Sequence, residues 1–209
     1  MLLEPPLSPM EARSVDEIPT GEDWQYEPKW DGFRCIAFRN GDRTYLQSKA
    51  GQPLGRYFPD VVAALGKVRA QEFVLDGELV VPVAGALSFD ELQLRLHPAA
   101  SRVQKLAKAN PALYVLFDIL AEDGEVYLQR LLRERRQFLE KFARSNVKSE
   151  KTLRLSPATT GRSFPSEGEG ARRLRLRLQL RITLCTGTGM NRIQRSHLDQ
   201  LRCQATHAR

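Results

Sequence analysis

Lys29, Asp31, Gly32 and Arg34 crowd reactive and restraining residues into the run Tyr26-Glu27-Pro28-Lys29-Trp30-Asp31-Gly32-Phe33-Arg34. A lysine amine is a nucleophile when uncharged. This one follows a proline that fixes one backbone angle and precedes a glycine open to conformations other residues avoid. The stretch therefore predicts a stiff, exposed turn that presents Lys29 with little entropy left to lose. An unperturbed lysine has a pKa of about 10.4, so useful neutral amine near pH 7 needs a drop of roughly two or three units. Nearby cations produce such a drop, and Arg34 is at hand. Taken alone, Lys29 also reads as a solvated turn lysine and Arg34 as the partner of Asp31.

The elements that must position this turn can be read from pattern. A short strand over residues 24–27 delivers it, and the apolar runs 33–39 and 44–48 flank Asn40-Gly41-Asp42, a strong hairpin signal. Phe58, Val61, Val62 and Leu65 recur at helical spacing. Residues 73–81, FVLDGELVV, read as a strand carrying its own acids. Ser88 with Glu91, and Ser101 with Gln104, have capping-box spacing and predict helices over 89–96 and 102–109. Residues 114–120 are apolar apart from Asp118, which marks a buried strand, and Glu122-Asp123-Gly124 turns it. A charged helix over 128–142 and a last strand over 152–156 follow. The first twenty-odd residues, with Pro5, Pro6, Pro9 and Pro19, read as an extended lead-in. Antiparallel strands with helices packed on them, without strict alternation, define an α+β fold.

The Lys-x-Asp-Gly-x-Arg spacing resembles covalent nucleotidyltransferases, and closely the ATP-dependent DNA ligases of the bacterial, actinobacterial type. Ser48-Lys49-Ala50-Gly51 matches a second element of that family, Asp76-Gly77-Glu78 a third, and YVLFDIL over residues 114–120 the next, in the family's order. The likeness extends outside these motifs through LRLHPAASRVQKLAKANPALYVLFDIL and covers residues 4–160. It implies a ligase-type nucleotidyltransferase domain, ATP-grasp-like, of antiparallel sheets flanked by helices. It implies that Lys29 takes AMP from ATP, that Glu27 lies at the adenine edge, and that Arg34 reaches ribose and phosphate. Lys49 would contact phosphate, Glu78 would hold the ribose or the metal, and Phe117 would stack on the adenine. ATP and Mg2+ are the implied cofactors, nicked double-stranded DNA the implied partner, and the protein is expected to act as a monomer. Singly, Glu78 could be a solvated strand residue, Phe117 a core aromatic and Lys49 a hairpin-end charge; the ordered set favours the site.

Past residue 160 the pattern departs from the family. Its last two motifs, a strand ending in lysine and a Lys-x-Lys element, find no match; the best placement sets Arg192 and Gln194 where the two lysines belong and Leu176 where the earlier one does. Arginine keeps charge but not a compact ammonium, and glutamine keeps only a neutral amide. On this reading residues 1–160 are the adenylation domain and residues 161–209 a divergent arginine-rich tail, with the C-terminal part of the fold incomplete and no oligonucleotide-binding barrel, which needs five strands. The tail is either truly divergent or the product of a reading-frame change in a GC-rich gene. Two functions stand: a nick-sealing ligase, or a catalytically impaired remnant that binds ATP or nucleic acid only.

Composition narrows the class. Of 209 residues, 42% are hydrophobic and 27% charged, as in an ordinary globular protein. The net charge of +7 arises in the tail, since residues 1–160 carry 22 basic and 22 acidic side chains and residues 161–209 carry 10 arginines against three acids. Such a basic segment often meets nucleic acid. Neither a membrane span nor a signal-peptide layout is legible, so a cytoplasmic location is expected. Cys35, Cys185 and Cys203 are too far apart for a disulfide framework, and Cys185, His197, Cys203 and His207 fit no standard zinc spacing.

Overall fold

A computed structural model describes residues 3–15, 24–147, 151–160, 179–184 and 191–195. The strands are β1 (Glu11–Val15), β2 (Trp24–Lys29), β3 (Phe33–Asn40), β4 (Arg43–Ser48), β5 (Glu72–Val80), β6 (Pro82–Val83), β7 (Ala86–Leu87), β8 (Leu113–Glu122), β9 (Glu125–Val126), β10 (Leu153–Leu155), β11 (Gln179–Leu184) and β12 (Asn191–Arg195). The helices are α1 (Pro59–Leu65), α2 (Phe89–Leu94), α3 (Ala100–Ala109) and α4 (Leu132–Asn146). The larger sheet runs β10-β8-β5-β3-β4, with β9 paired to β8, and a smaller sheet runs β1-β12-β11-β2. Most ladders are antiparallel, but β10 pairs β8 and β1 pairs β12 in parallel.

Both faces of the large sheet carry buried apolar side chains, one wholly and the other in part. Along β3, Cys35 and Ala37 point one way and Ile36 and Phe38 the other, as period-two alternation requires. The first face meets Phe58, Val61 and Leu65 of the α1 segment and Leu139 and Phe142 of α4. Leu3 and Leu7 of the lead-in, with Tyr45, Val126 and Leu128, pack against part of the second. The predicted lead-in thus does cross the surface, but its Glu11–Val15 stretch has become a strand.

Three expectations are corrected by local geometry. Lys29 ends β2 and is half-buried; it does not sit on a free-standing exposed turn. Of the two serines at capping-box spacing, only Ser88 caps, its hydroxyl accepting from the Glu91 N–H. The third helix begins two residues earlier than predicted, after Ala99, with no side-chain cap, and Ser101 falls inside its first turn. The fourth starts at Leu132 because Glu134 bonds back to the Leu131 N–H and fixes the start there. Within the tail, β11 and β12 are described and join the sheet that carries β2. Cys185, His197, Cys203 and His207, and Leu176, lie outside the described residues.

Candidate nucleotide-binding site

Motifs far apart in the chain converge on one end of the large sheet, and the ladders explain how. Ser48, Cys35, Gly77 and Leu116 stand in one row across β4, β3, β5 and β8; Arg34, Glu78 and Val115 form the next. Lys49 follows Ser48 into a tight turn in which the Gly51 N–H donates to the Ser48 carbonyl at 3.0 Å and Gly51 takes a φ of +81°. The Lys49 segment therefore flanks the Arg34 row.

Two glycines let the strands close. A side chain at Gly77 would meet the Tyr114 ring and the Val115 carbonyl, both at 2.5 Å from its Cβ. Tyr114 passes over that glycine, and its hydroxyl lies 2.9 Å from the Cys35 carbonyl and 3.1 Å from that of Leu75. A Cβ on Gly32 would fall 2.2 Å from the Leu79 carbonyl. Its role is close approach: the chain leaving Lys29 is pressed against β5 beside Glu78, with no positive φ needed. Trp30 completes the attachment, its ring buried with Val80, Leu113 and Val115 and its indole N–H donating to the Ser156 hydroxyl at 2.9 Å. The Tyr26 N–H donates to the Thr159 carbonyl at 2.8 Å, so the lysine strand is fastened on both sides of Lys29.

On the face of the sheet away from α1 and α4, charge is tightly paired. Arg34 donates through Nε and Nη2 to both oxygens of Asp76 at 2.5 Å, and its guanidinium lies 4.5 Å from the centre of the Phe117 ring. Burial works against the Arg34 charge, but Asp76, then Glu78 and Asp118, outweigh it and hold the group more firmly protonated than usual. Its charge is balanced by Asp76, the partner it takes in place of Asp31. Phe117 sits at a register shift between the Asp76–Asp118 and Gly77–Leu116 pairs, a bulge of the kind that re-aims side chains. It is 1% exposed, with Arg34 over one face.

Sequence reasoning missed Asp76 as the Arg34 partner, and missed the buried Asp118–Arg135 pair, bidentate at 3.0 Å, that ties β8 to α4. A lone acid inside an apolar strand was the available signal, because a buried charge needs a partner. It also missed Gln25. Glu27, 1% exposed, accepts through Oε1 from the Gln25 amide at 2.5 Å, while its Oε2 is buried with no partner among the described residues. The Cys35 thiol is pushed well up by burial and then by Asp76, which keeps it unreactive.

The register also orders the smaller sheet. Gln194, Arg181 and Glu27 align across β12, β11 and β2, as do Arg192, Thr183 and Gln25, and Gln179 lies opposite Lys29. The two tail positions matched to the family's last motif therefore belong to the sheet that holds the lysine strand.

Comparison with known proteins identifies the family and the fold. Residues 9–164 match the family described as ATP dependent DNA ligase domain. DNA ligase C2 of Mycolicibacterium smegmatis is 47% identical over 156 residues, covering 75% of this chain and 43% of that protein. DNA ligase C of Mycobacterium tuberculosis is 43% identical over 172 residues, 80% of this chain and 48% of the relative. The chain thus spans about half the length of these relatives. In fold it resembles the ligase domain of M. tuberculosis LigD, with a TM-score of 0.63 at 21% identity over 90% of this chain and 59% of that one. It also resembles the Chlorella virus DNA ligase-adenylate, with a TM-score of 0.53 at 13% identity over 93% of this chain and 66% of that one.

Proposed function

This chain belongs to the family of ATP dependent DNA ligase domains, and from that premise we propose that it seals nicks in double-stranded DNA by way of a lysyl-AMP intermediate. One observation carries the reading: Lys29, Arg34, Lys49, Glu78 and Phe117, scattered in sequence, belong to segments that meet at one end of the sheet. The Lys29 amine, having lost a proton, attacks the α-phosphorus of ATP; a P–N bond forms and the bond to pyrophosphate breaks. The adenylyl group passes to a 5′-phosphate of DNA, and a 3′-hydroxyl then displaces AMP to close the backbone.

Each side chain has a place in that sequence. Glu27, two residues before Lys29 on β2, offers to the adenine edge the oxygen that has no partner among the described residues. Phe117, with Arg34 over its ring, is the aromatic side chain proposed to stack on the base. Arg34, held by Asp76, turns its remaining donors to ribose and phosphate, and Lys49 adds positive charge for phosphate. Glu78, 7% exposed, supplies one carboxylate near the ribose. Magnesium fits there, because the ion takes hard oxygen donors and keeps most of its shell as water and phosphate. When bound, it neutralises charge on the departing pyrophosphate. No cluster of three potential ligands occurs among the described residues. The protein is proposed to work as a monomer in the cytoplasm, and among the described residues no helix is long and apolar enough to cross a membrane.

Intact-protein mass spectrometry after incubation with ATP and magnesium tests the proposal. An AMP-sized mass gain is expected, absent from Lys29→Ala. No gain in folded protein that still binds ATP would favour a second reading, supported by Arg192 and Gln194 in place of two lysines: a remnant that binds ATP or nucleic acid only. Such a phosphate-only binder loses DNA affinity steeply with salt and ignores nicks, whereas a ligase prefers nicked duplex.

A further inference from the structure

We propose that Gln25 is a positioning residue that sets base specificity, fixing Glu27 so that one carboxylate oxygen stays open to the exocyclic amine of the nucleotide base. The inference rests on the reading of Glu27 as the adenine-edge group and adds the device that makes it selective. Strand alternation puts Gln25, Glu27 and Lys29 on one face of β2, so the nucleophile and this pair share a surface. Gln25 is 4% exposed and Glu27 1%, leaving little water to satisfy either. The Gln25 amide Nε2 donates to Oε1 of Glu27, and Oε2 is buried with no partner among the described residues.

Buried polar atoms are rarely left unpaired, and an open carboxylate oxygen asks for a donor. The terminal torsion of a glutamate is broad, so an unrestrained carboxylate would rotate and share its oxygens between any donors. The Gln25 amide removes that freedom by claiming one oxygen. What remains is a single acceptor of fixed direction. A 6-amino purine offers an N–H there, whereas guanine offers a carbonyl oxygen that a carboxylate repels, and an unsubstituted purine offers no donor at all. A site built around a hydrogen bond rejects an analogue that lacks it more strongly than an apolar pocket rejects a change of size.

Isothermal titration of the full chain with ATP and with purine riboside triphosphate, which lacks only the amine, tests this without requiring chemistry. The wild type is expected to bind ATP roughly ten- to a hundredfold more tightly, the range for a hydrogen bond to a charged group. Gln25→Met keeps the length and removes the donor; it should weaken ATP, leave purine riboside triphosphate as before and bring the ratio towards one. Gln25→Asn, an amide one methylene short, should do the same and serves if the first variant folds poorly. A ratio left at the wild-type value by the Gln25 variants, or an equal loss for both triphosphates, overturns the inference. If Glu27→Met alone erases the ratio, the adenine-edge reading survives without Gln25. A wild type that does not discriminate, or that binds neither nucleotide, removes both.

Discussion

Arg34 is held so completely by Asp76 that its contribution cannot be separated from that pair. Removing one partner of a buried ion pair strands the other, and typically costs about 3–5 kcal/mol. Asp76→Asn should therefore lower stability by several kcal/mol in urea unfolding, while Arg34→Met combined with Asp76→Leu should recover much of the loss and still fail to restore nucleotide binding. Recovery of binding in the double variant would show that Arg34 serves packing alone. At this scale the sequence was informative where a motif fixed both residue type and spacing: it singled out Lys29, Glu78 and Phe117, and the ladders bring their segments to one end of the sheet. Gln25, Asp118 and Arg135 were not legible. Their roles depend on partners chosen by strand face or by a helix arriving from elsewhere, and no local pattern records that choice.

Among the elements, the two serines at capping-box spacing make a controlled comparison. Ser88 accepts from the Glu91 N–H at 3.2 Å, whereas Ser101 is exposed in the first turn of α3. Loss of an N-cap costs about 1 kcal/mol. Ser88→Ala should therefore shift the urea midpoint by an amount equivalent to about 1 kcal/mol, and Ser101→Ala should stay within about 0.5 kcal/mol of wild type; similar shifts would mean that α3 is capped after all. Spacing alone predicts both caps, because the motif is blind to where the preceding chain enters. The hairpin was read more securely: Gly41, at a φ of +58°, lies between strands whose register the apolar runs already determine. The lysine turn was misjudged because Pro28 and Gly32 suggest a bend, while pairing with β11 keeps Pro28 and Lys29 extended to the end of β2.

For the whole molecule, α+β class and the order of the main strands and helices between residues 24 and 156 were legible from periodicity; β1, β11, β12 and the two parallel ladders were not, since each ladder joins segments that no turn connects. Global stability should also carry a pH signature at the rim of the large sheet. The Glu122 carboxyl is raised by burial, then by Asp123, with Lys141 opposing. Its folded pKa lies above the unfolded one, so the stability it contributes is fully present below the ordinary glutamate range and is lost as pH rises through the folded value. Glu122→Gln should accordingly raise Tm slightly at pH 7, by the equivalent of less than about 0.5 kcal/mol. The gain should vanish near pH 4, and an equal gain at both pH values would remove the ionisation argument. Lastly, β2 lies at the end of its sheet and pairs with β11, a strand that begins about 150 residues after Lys29 in the chain. During synthesis the strand bearing Lys29 must wait, its edge open, until Gln179–Leu184 emerges from the ribosome. Late ladders of this kind fold slowly and invite wrong pairing in the meantime, so Lys29 is made well before the strand that holds it in place.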